Sequence, residues 1–179
     1  MKKGDISRFK RKIAGKTNYR KRLKLVLSHM PRLVVRKFNR NLSAQIINYA
    51  PDGDITLTAA SSKQLAKLGW SHSRKNIPAA YLTGLLLGKK AAEKGVKKAV
   101  LDLGFHPSVK GSRIYAVLKG LLDAGIDIPS SDTVVPHEER ISGKHILGYF
   151  AKKPKGHFTK GNAAKLGEDF EAIKKKIIG

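Results

Sequence analysis

Three groups of side chains in this sequence are equipped for chemistry, and their spacing decides what each can do. The histidines are His29, His72, His106, His137, His145 and His157, and none stands four residues from another. No pair therefore shares a helical turn as a compact zinc site needs. The aspartates Asp54, Asp102 and Asp123 would, if they converged, hold metal ions for in-line cleavage of a phosphodiester. Asp102, however, ends an apolar run beside a loop that opens a helix, a position where a carboxylate commonly takes structural hydrogen bonds. The third group is "GFHPSVKGSR", residues 104 to 113, a loop leading into a helix whose free backbone N–H groups suit a phosphate. Its glycine spacing and its Lys110-Gly111-Ser112 order are not those of a Walker loop, so nucleotide hydrolysis is not expected. A phosphate of a nucleic-acid backbone fits the same place, with Ser112 opening the helix and Lys110 and Arg113 as charge partners.

The basic and aromatic residues fit binding better than catalysis. In "RLVVRKFNRNLSAQII", residues 32 to 47, two apolar runs flank a polar turn studded with charge and one ring. Arg36 and Arg40 can fork onto phosphates, and Asn39 and Asn41 complete the turn. Phe38, Tyr19 and Trp70 offer faces for stacking on unpaired bases, although each ring taken alone is equally well explained by core packing. Arg32 and Lys75 join the set as basic residues flanking these elements, and Arg8, Lys10, Arg11, Lys12 and Lys16 crowd the N-terminal arm.

Lys and Arg number 37 against 13 Asp and Glu, a formal net charge of +24. Solubility does not require such an excess, so a polyanionic partner is its simplest reason. Nucleic acid comes first and an anionic membrane surface is the rival. The longest apolar run, Ile77 to Leu87, falls well short of the roughly 20 residues of a helical span, and "MKKGDISRFKRKIAGK" lacks the apolar core of a secretory signal. With no cysteine there are no disulfides and no thiolate metal sites. A soluble cytoplasmic protein is expected, and RNA is preferred to DNA because no helix-turn-helix or finger pattern is present.

The 179 residues, 41% of them hydrophobic, suffice for one domain with a real core. Residues 1 to about 16 have charge but no core-forming stripe, and are expected to order only on a partner. From Thr17 a helix is expected, with Tyr19, Leu23, Val26 and Leu27 inward and Arg20, Lys21 and Lys24 outward, Arg22 adding to the basic set. After Pro31 three strands follow, Arg32–Phe38, Leu42–Ala50 and Asp54–Ala60, joined by "NRN" and "PDGD" in an antiparallel meander. With Arg40-Asn41 as a two-residue loop, Phe38 faces Ser43, Arg36 faces Gln45 and Val34 faces Ile47. Leu33, Val35, Ala44 and Ile46 then share the opposite, apolar face, with Lys37 at its rim; a slip of one residue would mix the two faces.

Residues 61 to 76 hold a polar helical turn and a loop with Trp70. Asn76 can cap the following helix, which Pro78 begins and Gly95 ends. Its Gly84 and Gly88 form a notch for close packing against a sheet. "KKAVLDLG", residues 97 to 104, has the continuous apolar character of a buried parallel strand. A helix opened by Ser112, with Ile114, Val117, Leu118, Leu121 and Leu122 inward, closes at Gly125. "IDIPSSDTVVPHEERISGKHI" is expected to be irregular. From about Asn162 an amphipathic helix carries Leu166, Phe170, Ile173 and Ile177 in a stripe, with acids early and lysines late. The order is that of an α/β fold, with a right-handed crossover through residues 77 to 94.

The blocks "TNYRKRLKLVLSHMPRLVVRKFNRNLSAQII", "GDITLTAAS", "NIPAAYLTGLLLGKKAAEKGVKKAVLDLG", "KGSRIYAVLKGLLDAGIDIP" and "RISGKHI" resemble the archaeal form of the universal large-subunit ribosomal protein eighteen family. Its eukaryotic counterpart is the ribosomal protein, numbered five, that carries 5S rRNA. The resemblance spans nearly the whole chain. It implies a structural role without enzymatic activity: a protein that clamps 5S rRNA to the large-subunit rRNA in the central protuberance, beside neighbouring large-subunit proteins. It also implies a ribonuclease H-like α/β fold without the nuclease's activity. In that reading the arm, the hairpin from Phe38 to Leu42 and the loop from Lys110 to Arg113 face RNA. The chain divides into a basic arm and helix (1–30), an α/β core (31–128) and an irregular segment with a C-terminal helix (129–179). No cofactor, membrane or small-molecule substrate is expected.

Overall fold

Alternation of apolar and polar residues builds the sheet. The computed structural model describes residues 9–152 and 163–179. Its strands are β1 (Arg32–Lys37), β2 (Leu42–Asn48), β3 (Ile55–Ser61) and β4 (Val100–Asp102). Its helices are α1 (Lys10–Ile13), α2 (Tyr19–Val26), α3 (Ile77–Glu93), α4 (Arg113–Asp123), α5 (Glu138–Ile141), α6 (Lys144–Lys152) and α7 (Leu166–Ile178). The strands form one four-stranded sheet in the order β3-β2-β1-β4. β2 runs antiparallel to both β1 and β3, and β4 runs parallel to β1. The protein is thus a mixed α/β structure in which α3 connects β3 to β4.

Leu33, Val35, Leu42, Ala44 and Ile46 are buried on one face of the sheet, under α3 and α4. Arg36, Ser43 and Gln45 lie half-buried on the other. The faces are as expected, but the register is not. Val34 pairs with Gln45, Arg36 with Ser43 and Lys37 with Leu42, so the two-residue loop is Asn39-Arg40. The Phe38 N–H closes it on the Asn41 carbonyl at 2.9 Å. A shift of two residues leaves every side chain on its face, so alternation is blind to it. On its other side the start of β2 is tied to the end of β3: the Leu42 N–H donates to Ser62 Oγ (2.9 Å), and Ser61 Oγ donates to the Leu42 carbonyl (3.0 Å).

The Asn76 side chain caps α3 by accepting from the Ala79 N–H at 2.9 Å. The Gly84 notch packs against a helix rather than the sheet. A Cβ on Gly84 would lie 2.1 Å from the Val117 carbonyl oxygen, and one on Gly120 would lie 2.3 Å from that of Tyr81. α3 and α4 therefore meet backbone to backbone, which only glycine permits at these points. On the free edge of β3, Lys94 donates to the Leu57 carbonyl and Lys90 to that of Ala59, blunting an edge that would otherwise invite pairing.

The strand expected across residues 97 to 104 is shorter and lies at the other edge. Only Val100–Asp102 pairs with β1, and Lys98 bridges onward to Asp127. Leu166, Phe170, Ile173 and Ile177 are all buried, and the Phe170 ring lies 5.7 Å from that of Tyr81 on α3. The segment expected to be irregular holds a 3-10 turn (Asp132–Val134), α5 and α6. Its elements are short, and Gly143, at φ +84°, turns the chain between the two helices.

α2 turns a different face inward than its apolar stripe predicts. Leu23 and Leu27 are 61% and 65% exposed, while Arg22, Leu25 and Val26 are half-buried. Arg22 reaches Asp54 at 3.0 Å on the inward side of the helix. Of the arm expected to order only on a partner, residues 1–8, and with them Arg8, lie outside the described residues. The rest forms the single exposed turn of α1.

Candidate nucleic-acid interface

The hairpin tip stands clear of the core. Phe38 is 56% exposed, Asn39 and Arg40 are exposed, and Asn41 is half-buried. The base of the same hairpin touches the loop after β4. The Arg36 guanidinium lies against Gly104, where an added Cβ would come within 3.0 Å of Nη1, and Gly104 holds φ +58°. Arg36 Nη1 also donates to the Val35 carbonyl at 3.0 Å. Two segments far apart in sequence, 36–41 and 104–113, thus form one basic edge.

His106 reports the density of charge there. Its imidazole is held below the usual histidine range, first by desolvation and then by Lys37, Arg36 and Arg113 nearby. Arg113 is tied back by donation to the Lys75 carbonyl at 3.2 Å, which brings Lys75 to the same edge. Lys110 is exposed at the loop's crest. Ser112 occupies the N-cap position of α4 without a side-chain cap bond. Its hydroxyl is buried and has no partner among the described residues. Neither His106 nor Lys37 was singled out from sequence, although both neighbour residues that were.

On the polar face of the sheet, Arg11, Lys16, Arg22, Arg36 and Gln45 line a crevice of about 210 Å³. The arm residues Lys10 and Lys12 are exposed, as are Arg20 and Lys24 on α2. Tyr19 is half-buried, with one face covered by the Phe9 ring at 4.7 Å.

Two candidates are corrected. Trp70 is 3% exposed. Its Nε1 donates to the Ser73 carbonyl at 3.2 Å, and its ring meets His72 edge-on at 5.0 Å. Core packing claims it and leaves no face for a base. Arg32 is also 3% exposed. It donates to Asp54 at 2.7 Å and to Asp102 at 3.2 Å, so its charge is spent inside the protein.

The same geometry disposes of the aspartate cluster. Asp54 and Asp102 converge on a guanidinium instead of a metal, and Asp102 also accepts from the Gly104 N–H at 2.8 Å. Asp123 is engaged elsewhere, accepting from the Tyr81 hydroxyl at 2.9 Å and pairing with Lys119 at 2.8 Å. Burial and Asp123 push the Tyr81 phenol well above its ordinary range. Among the described residues, no group of three potential ligands is placed to hold a metal, and no helix is long and apolar enough to cross a membrane.

A sequence profile described as "Ribosomal large subunit proteins 60S L5, and 50S L18" matches residues 6–95 and 89–131. The chain is also 46% identical over 181 residues to the large ribosomal subunit protein uL18 of Methanococcus maripaludis, covering 95% of this chain and 94% of that protein. The chain belongs to this family. Membership makes it a structural, non-enzymatic component of the large ribosomal subunit. The matched residues contain the hairpin, the Arg32 network and the 104–113 loop. The family agrees with the nucleic-acid partner expected from the charge balance.

Proposed function

We propose that the protein binds 5S rRNA and attaches it to the large-subunit rRNA in the central protuberance, beside neighbouring large-subunit proteins. The observation that carries this is the contact of the Arg36 guanidinium with Gly104, which joins the hairpin to the 104–113 loop beside His106, where Lys37, Arg36 and Arg113 all act on the imidazole. Cations are gathered this closely, against their mutual repulsion, where a polyanion neutralises them. Arg36, Lys110 and Arg113 hold phosphates, and Phe38, exposed beside them, packs or stacks on a base. Arg40, Asn39 and Asn41 follow the strand at the hairpin tip. Ser112 takes a phosphate at the start of α4. Lys10, Arg11, Lys12, Lys16, Arg20, Arg22, Lys24 and Lys75 extend the basic surface from the arm to the loop, and Tyr19 contributes its uncovered face.

The sheet order, with β4 parallel to β1 after a helical crossover, supports the ribonuclease H-like reading of the fold. A nuclease of that fold is the alternative in another class, and the Arg32 bridge between Asp54 and Asp102 argues against it.

Titration of the full chain into labelled 5S rRNA, with transfer RNA as competitor, tests the proposal. Selective binding is expected, weakened by Arg36→Ala and Arg113→Ala and unaffected by Lys119→Ala on the α4 surface. Equal binding of both RNAs, or equal loss in all three variants, would contradict it.

A further inference from the structure

The crevice on the polar face of the sheet holds more than general basicity. Its walls come from the arm (Arg11, Lys16), from α2 and the residues before it (Asn18, Arg22), and from the sheet. Five cations line it against two carboxylates. Both carboxylates are already engaged by Arg32, and Asp54 also by Arg22. Among the described residues, Arg11, Lys16 and Arg36 have no acidic partner. With Arg11 and Lys16 exposed, this surplus of positive charge is open to an anion from outside.

The floor differs from the walls. Half-buried Ile47 and the 7% of Val34 left exposed provide apolar surface, beside half-buried Gln45, which pairs with Val34 across the strands. At about 210 Å³ the space is far larger than one water needs, roughly 10–15 Å³ of probe-occupied volume. A phosphate alone would leave the floor uncovered. Arg32 also lines the space and is 3% exposed, and its Nε has no acceptor in the protein. Cationic walls over an apolar floor with one amide match a phosphate joined to a flat heterocycle.

We propose that this crevice takes one unpaired nucleotide of the bound RNA. Its phosphate lies on Arg11, Lys16 and Arg36, and its base covers Val34 and Ile47 beside the Gln45 amide. The assignment rests on the RNA-binding reading above and adds to it a discrete single-nucleotide subsite that adjoins the hairpin edge and shares Arg36 with it.

Gln45→Trp fills the crevice without removing a cation. The variant should melt close to the wild type and bind 5S rRNA about tenfold more weakly, the loss of one base packed on apolar surface, with an unchanged salt dependence because the cations that hold the phosphate remain. Equal affinity in the folded variant would overturn the subsite. A second measurement does not depend on that variant folding: wild-type protein is titrated with a nucleoside 5′-monophosphate and, separately, with inorganic phosphate. The nucleotide should shift the backbone amide resonances of Val34, Gln45 and Ile47, while phosphate leaves those of Val34 and Ile47 in place. Identical responses to both, or none, would overturn the proposal. Should the wild type fail to bind 5S rRNA at all, the RNA reading falls, and the nucleotide titration still decides whether the crevice is a nucleotide site.

Discussion

Replacing Arg32 by alanine separates a structural cation from an RNA contact, because the two roles predict opposite losses. The side chain is 4% exposed and bridges Asp54 and Asp102, whose side chains are 25% and 11% exposed. Without the guanidinium, Asp54 keeps Arg22 at 3.0 Å, but Asp102 keeps only the Gly104 N–H at 2.8 Å. Removing one partner of a buried ion pair costs about 3–5 kcal/mol. For a chain of this size that corresponds to a fall in melting temperature of about 6–20 °C, at 2–4 °C per kcal/mol. Arg22→Ala, which breaks a pair whose side chains are 29% and 25% exposed, should cost about 1 kcal/mol. Adding Asp102→Asn to Arg32→Ala removes the orphaned charge and should recover part of the loss, which a double-mutant cycle by urea unfolding measures directly. At a temperature where every variant is folded, Arg32→Ala should keep the wild-type salt dependence of RNA binding. A melting temperature within about 2 °C of wild type, well under the shift expected for a buried pair, together with a flattened salt dependence, would refute the reasoning and return Arg32 to the interface.

Phe38→Ala should change stability by no more than about 1 kcal/mol, since the ring is exposed, while weakening 5S rRNA binding roughly tenfold; denaturation and filter binding report the two separately. Arg40→Ala and Lys110→Ala should each lower the slope of log affinity against log salt by about 0.7–0.9, which titrations across a salt series will read. His106 gives a pH test. Its folded pKa lies below the ordinary value, so below about pH 6.5 the unfolded chain takes up a proton that the folded side chain resists. Its contribution to stability is therefore complete above that range and lost as pH falls through it. Phosphates that neutralise Arg36, Lys37 and Arg113 raise the same pKa, so the complex holds more protons than the free protein. Binding should accordingly tighten as pH falls from about 8 to about 6, and His106→Gln should flatten the profile.

Much of this architecture is legible in the sequence because periodicity carries it. The stripe Leu166, Phe170, Ile173, Ile177 is buried as its spacing requires, and Asn76 caps α3 as its side chain allows. Leu33, Val35, Ala44 and Ile46 share the core face for the same reason. Where the reading fails, a long-range contact wins over a local pattern. The register of the hairpin is recorded by its tight Asn39-Arg40 turn, closed by the Phe38 N–H on the Asn41 carbonyl, and a two-residue shift leaves no trace in alternation. α2 sets Arg22 beside Asp54, across 32 residues of sequence, while Leu23 and Leu27 face outward. Arg32 looks like its basic neighbours until Asp102, from β4, is brought beside it. Trp70, in a polar loop, gives no sequence sign that Ser73 and His72 enclose it. The convergence of Arg36 with the 104–113 loop is likewise a product of the parallel pairing of β1 with β4; the apolar run marks a parallel strand but not which strand it pairs with.

The most direct test of the central claim is to recover the tagged full-length protein from its own cells under high-salt, ribosome-dissociating conditions and sequence the RNA that remains bound. 5S rRNA should dominate the recovered RNA in roughly equimolar amount, and should fall sharply in the Arg36→Ala, Arg113→Ala double variant. Recovery of a mixed RNA population without enrichment of 5S rRNA, or equal recovery with the double variant, would contradict the account.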